Sequence, residues 1–97
     1  GSSGFSAFSS AKFALRAVSQ SMARELGPEG IHVAHFVIDG AIDTAFIKEL
    51  FPDVYALKEK DGILQPDSIA DAYWFVHTQH RSSWTHELDL RPYMEKF

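Results

Sequence analysis

One stretch, residues 5–44, limits what this chain can fold into: a long helical pattern, a glycine–proline stop, and an apolar run that opens into a loop. Phe8, Ala11, Leu15, Val18, Met22 and Leu26 recur every three or four residues, so they share one side of a 3.6-residue helix. Phe13 and Ala17 add a second apolar stripe, which predicts burial on two sides, one of them against a sheet. Ser6 or Ser9 can cap the helix start by accepting a bond from a backbone N–H. At the other end Gly27 can take the left-handed conformation, Pro28 cannot continue a helix, and Gly30 frees the turn into Ile31. Ile31, Val33, Phe36, Val37 and Ile38 then predict a strand over 31–38, apolar on both faces as in a covered parallel sheet. Open α/β sheets place ligands beyond the carboxyl ends of parallel strands, which here is the loop after Asp39.

A chain of 97 residues holds one domain at most. It buries only roughly 60–65% of its unfolded surface. Yet 45% of it is hydrophobic and eight residues are Phe, more apolar side chain than a small core needs, which implies missing or partner surface. The net charge is −4 and the nine Lys and Arg form no stripe, so neither nucleic acid nor an anionic membrane is an expected partner. Without cysteine there is no disulfide or zinc–thiolate site, which is compatible with a cytoplasmic location. No apolar run approaches the roughly 18–20 residues of a membrane span. Gly1-Ser2-Ser3-Gly4 reads either as a tag remnant or as a native loop.

Residues 45–60 predict a helix interrupted at Pro52 and ended at Asp61-Gly62. Pro66 at a first helical position, with Asp67 behind it, starts a third helix to about Gln79, with Ile69, Ala72, Tyr73 and Val76 on its buried side. The last strand, 85–91, alternates His86, Leu88 and Leu90 with Glu87, Asp89 and Arg91, a pattern suited to a charged edge. His32 and His35 alternate along the first strand and face opposite sides. His77 with His80, and Asp39 with Asp43, lack further ligands, so no metal site is expected.

Ser10-Ala11-Lys12-Phe13-Ala14-Leu15, then Ala23-Arg24-Glu25-Leu26-Gly27-Pro28-Glu29-Gly30-Ile31-His32-Val33, then Ile42-Asp43-Thr44 resemble, in that order, the short-chain dehydrogenase/reductase family. The resemblance implies an α/β fold, the C-terminal part of a doubly wound, Rossmann-like parallel sheet, here two strands and three helices. Residues 1–97 would form one partial domain, without the dinucleotide-binding half and its glycine-rich loop. It further implies NAD or NADP as cofactor in a full-length parent, none bound by this chain alone, and a small carbonyl or alcohol as substrate. The family's Tyr-x-x-x-Lys places Lys12 at the lysine, which holds the nicotinamide ribose, and Phe8 at the proton-donating tyrosine. A phenyl ring has no proton to give. The family's catalytic serine lies further before the tyrosine than the seven residues preceding Phe8. Beyond the strand, Gly40, Ile42 and Thr44 match cofactor-binding positions, where the Ile42 backbone and the Thr44 hydroxyl would meet the carboxamide. The interval from Ile31 to Gly40 is one residue longer than the family's, which implies a bulge in the strand or in its loop.

Bland roles compete at each position: Lys12 as a solvated helix lysine, Asp39-Gly40 as a turn, Thr44 as a helix cap. For the whole chain, an oxidoreductase portion inactive by itself competes with a non-catalytic binding or scaffolding relative, and with a fragment that pairs through its first helix. A two-stranded sheet is marginal alone, so a homo-oligomer is expected. The terminal Tyr93, Met94 and Phe97 would dock on a partner subunit.

Overall fold

The structure, a computed structural model, describes residues 6–95. The two readings of Gly1-Ser2-Ser3-Gly4 and the docking role of Phe97 fall outside the described residues. The chain divides into two compact units, one running up to His35 and joined by His80–Leu88, the other made of Phe36–Gln79 and the segment from Asp89 onward.

In the first unit, helix α1 spans Ser6–Leu26. Ser6 is its first residue and Ser9 lies inside it, so neither is the cap. A 3-10 turn, Gly27–Glu29, follows with Pro28 in its first positions. Because that turn postpones the chain reversal, Gly30 and not Gly27 is left-handed, at φ 85°, and its N–H returns to the Gly27 carbonyl at 2.9 Å. Phe8, Phe13, Leu15, Val18 and Met22 all stay exposed, so the burial expected on two sides of α1 is not made among the described residues.

Strand β1 covers His35–Ile38 and strand β2 Glu87–Leu90, shorter than the expected 31–38 and 85–91. Side chains replace ladder bonds at the lost ends. His32 Nε2 lies 2.7 Å from the Thr85 carbonyl and His86 Nδ1 lies 3.2 Å from the Val33 carbonyl. The indole of Trp84 stacks on the His32 ring at 4.6 Å. His32 therefore precedes β1, and the expected alternation with His35 along one strand does not occur. Arg16 on α1 grips Glu87 with two nitrogens, at 2.9 and 3.1 Å.

The two strands pair as one sheet. The His35 N–H donates to the His86 carbonyl and the Asp39 N–H to the Leu90 carbonyl, an advance of four residues on each strand, so the ladder is parallel and holds no bulge.

In the second unit, Pro52 cuts the 45–60 segment into α2, Ala45–Leu50, and α3, Pro52–Tyr55, followed by a 3-10 turn, Ala56–Lys60. Among the described residues four α-helices stand where three were expected, because Pro52 opens a new helix instead of kinking one. Asp61 ends the turn at φ 57°. Helix α4, Pro66–His77, starts on its proline and ends at Thr78, whose hydroxyl donates to the Trp74 carbonyl at 2.9 Å. Ile63 and Val76 are buried. Tyr73, expected inside, is half exposed: one face of its ring stacks on Phe36 at 3.8 Å and the rest opens to solvent. No helix among the described residues is long and apolar enough to cross a membrane.

Candidate functional site

The loop from Asp39 to Thr44, at the carboxyl end of β1, is fastened at nearly every residue. Asp39 donates its N–H to Leu90 and pairs its carboxylate with Arg91 at 3.1 Å. Gly40 takes φ 139°, and a Cβ there would lie 2.9 Å from the Pro92 ring, so this position needs glycine twice over. Ala41 and Asp43 clasp Leu64: its N–H donates to the Ala41 carbonyl and its carbonyl accepts from Asp43, both at 2.8 Å. This is a parallel bridge between Ile42 and Leu64, and its pattern turns the N–H and C=O of Ile42 itself away from Leu64. The Ile42 carbonyl accepts from the Thr44 hydroxyl at 3.2 Å, and the Thr44 hydroxyl oxygen caps α2 by accepting the Ile47 N–H at 3.3 Å.

Two cations brace the loop from outside. Lys58 reaches Asp43 at 2.9 Å, and this hydrogen bond, followed by one to the Tyr55 hydroxyl, raises the Lys58 pKa above its usual value. Arg91 bonds Asp89 as well as Asp39, and the Asp89 bond comes first among the causes that raise its pKa. Asp39 and Asp43 are thus each neutralised by a different cation and do not form a metal pair. Among the described residues, no group of three or more His, Cys, Asp or Glu could hold a metal ion. His80 caps the 3-10 turn Arg81–Ser83 through its Nδ1, and His77 leans on Trp74 with ring centres 5.6 Å apart.

Ile42 and Thr44 also line an open groove of about 730 Å³, completed by α4 residues including Ile69, Tyr73, Trp74 and His77. Sequence reasoning missed these aromatics as site residues. Their signal was the four-residue interval of Ile69, Tyr73 and His77 on one helix face, beside Ala70 and Trp74. Of the other expected site residues, Phe8 and Lys12 lie one turn apart on exposed α1 in the first unit, with the Lys12 ammonium 5.4 Å from the Phe8 ring centre. Gly40, Ile42 and Thr44 lie in the second unit and come together in the braced loop.

A parallel strand that ends in a braced loop and is followed by a crossing helix defines an α/β protein of the kind that binds ligands at strand ends. The chain is similar to a short-chain dehydrogenase from Rhodopseudomonas palustris, whose crystal structure it matches at a TM-score of 0.65 and 45% identity. The match covers 96% of this chain and 32% of that one. The chain is accordingly a relative of the short-chain dehydrogenase/reductase family, and it spans about a third of the length of the structure it matches. No family model and no curated protein matches it.

Proposed function

We infer that this chain forms the nicotinamide-facing, C-terminal part of an NAD(P)-dependent short-chain oxidoreductase fold whose substrate is a small carbonyl or alcohol. The observation that carries the reading is 45% identity to a short-chain dehydrogenase across 96% of the chain. The bound cofactor would supply or accept the hydride. Lys12 would hold ribose hydroxyls through its ammonium donors.

Gly40, Ile42 and Thr44 fit a carboxamide on chemical grounds. A hydroxyl has one proton and two lone pairs. Thr44 gives its proton to Ile42 and one lone pair to the Ile47 N–H, which leaves a lone pair for an incoming amide N–H. The Ile42 backbone, turned away from Leu64, can meet the same amide. The cap and the cofactor roles of Thr44 are therefore compatible.

Phe8 decides the chemistry. A positioned general acid is worth about 10²–10⁴ in rate, and Phe8 has no proton for a carbonyl oxygen. Residues 1–97 contain no glycine-rich phosphate cradle, so by themselves they are expected to hold no cofactor and to be inactive. The second reading is a non-catalytic binding or scaffolding relative. It is favoured by the pairing of Lys12 with the Phe8 ring, a cation–π contact within one helix turn that needs no ligand. In either reading the protein works as a cytoplasmic homo-oligomer.

The test uses the longest natural polypeptide carrying these residues, and measures NADH and NADPH affinity and carbonyl reduction beside Phe8→Tyr. The enzyme reading expects cofactor binding and turnover raised about 10²-fold or more by the tyrosine. Binding without any gain in turnover marks the non-catalytic relative, and absence of binding in both forms removes the cofactor.

A further inference from the structure

Phe8 cannot protonate a carbonyl oxygen, and a reduction still needs a proton. The chain has three tyrosines, Tyr55, Tyr73 and Tyr93. Of these, among the described residues, Tyr55 is the one whose hydroxyl takes a hydrogen bond from a cation: the Lys58 ammonium donates to it at 3.4 Å. The bond is long, as catalytic hydrogen bonds commonly are before a substrate is in place. An ammonium has donors only, so Lys58 cannot accept the Tyr55 proton in return. No other described residue accepts it either. The Tyr55 oxygen is therefore held while its proton stays free, the arrangement that a general acid needs.

Charge and position both suit that role. The Lys58 Nζ lies 5.5 Å and the Lys48 Nζ 5.8 Å from the centre of the Tyr55 ring, so two ammoniums meet the negative charge that a departing proton leaves on the oxygen. Lys58 is itself fixed by Asp43 at 2.9 Å. That bond first, and the one to Tyr55 second, raise its pKa, so it stays charged at neutral pH. Asp43 stands between Ile42 and Thr44, the residues that fit a nicotinamide carboxamide, and all of these belong to the second unit. One ammonium thus ties the phenol to the loop that would face the nicotinamide. Tyr55 is half-buried, which leaves water a way to return the proton.

We propose that Tyr55 is a catalytic residue, the proton donor that Phe8 is not, with Lys58 as its positioning residue; this rests on the oxidoreductase reading above. The Tyr55 O–H bond breaks and its proton joins the carbonyl oxygen, while hydride from the reduced nicotinamide joins the carbonyl carbon. The carbonyl is reduced to an alcohol and the cofactor oxidised. The phenolate left on Tyr55 takes a proton back from water. Tyr55 then supports the turnover that remains with phenylalanine at position 8, which is the baseline above which Phe8→Tyr acts.

The test uses the longest natural polypeptide carrying these residues, with NADH and NADPH, and benzaldehyde as the carbonyl probe. Tyr55→Phe keeps the ring and removes the proton, so it should lower benzaldehyde reduction about 10²-fold while cofactor affinity is kept. In the Phe8→Tyr background the same substitution should cost far less, because a second phenol then serves the same oxygen. A tyrosine that only shaped its segment would cost the same in both backgrounds. Lys58→Met should lower kcat with KM unchanged, and Lys58→Arg, which keeps the charge, should recover part of the loss. Independently of turnover, the fluorine resonance of a fluorotyrosine placed at position 55 should shift when NADH saturates the protein. A resonance that the cofactor does not move, or a Tyr55→Phe loss that is equal in both backgrounds or absent from both, overturns the role of Tyr55 and leaves cofactor binding intact. Cofactor binding without any turnover overturns it too and marks the non-catalytic relative. Absence of NADH and NADPH binding in every form removes the oxidoreductase reading itself, and this proposal with it.

Discussion

Gly40 and Thr44 do different work in the same loop. Gly40 combines a φ of 139° with a Pro92 ring 2.9 Å from where a Cβ would stand. Pro92 is buried and its ring cannot swing aside as a long side chain would. Gly40→Ala should therefore cost about 1–3 kcal/mol, the range for backbone held in a sparsely populated region. Urea unfolding should show a lower midpoint with an unchanged slope. Thr44→Val keeps the shape and removes the oxygen that caps α2, so a loss of about 1 kcal/mol is expected. Thr44→Ser retains the hydroxyl and should stay near the parent. If valine proves neutral, the 3.3 Å bond from Ile47 contributes nothing and the cap assignment fails.

At the scale of elements, the Lys58–Asp43 contact ties the 3-10 turn Ala56–Lys60 to the loop. The Lys58 pKa is raised on folding by its hydrogen bond to Asp43. A cation whose folded pKa exceeds its unfolded value stabilises fully below the unfolded value and loses that contribution as pH rises through the folded one. The bridge should therefore be silent across neutral pH and fade above its ordinary value of 10.5. Lys58→Met should abolish that alkaline decline, read from urea unfolding midpoints across the alkaline range.

How far these elements could be read in advance depends on whether their causes are local. Pro52 and Pro66 act on their own turns, so the break at Pro52 and the helix start at Pro66 were legible. The trimmed strands were not, because His32 finds Thr85, and His86 finds Val33, across 53 residues. Nor could a sequence show that Asp39 meets Arg91, or that Pro92 closes over Gly40. Ile42 and Thr44 were singled out by the family resemblance alone, and the structure places both in the loop after β1 beside the groove. Tyr73 was misplaced because an apolar stripe on a helix looks the same whether its own sheet covers it or nothing does.

For the whole molecule, the unsolved quantity is apolar surface. Helix α1 runs 21 residues with Phe8, Phe13, Leu15, Val18 and Met22 exposed, while among the described Val, Ile, Leu, Met and aromatic residues Ile63 and Val76 alone are buried. A helix of that length extends about 31 Å at 1.5 Å per residue. Such a face is long enough for a standard interface, which covers about 800 Å² on each partner. Leu15, Val18 and Met22 share one stripe of it, three and four residues apart. Pairing of two α1 helices along that stripe would give the expected homo-oligomer. Val18→Glu introduces a charge at the middle of the stripe, at a position 54% exposed in the single chain, so it should not disturb folding. Sedimentation equilibrium should then show the mass fall to the 10.9 kDa of one chain while the helical circular dichroism is preserved. Should the mass stay at that of the oligomer, the contact lies elsewhere, and Phe13, on the second stripe, becomes the position to charge.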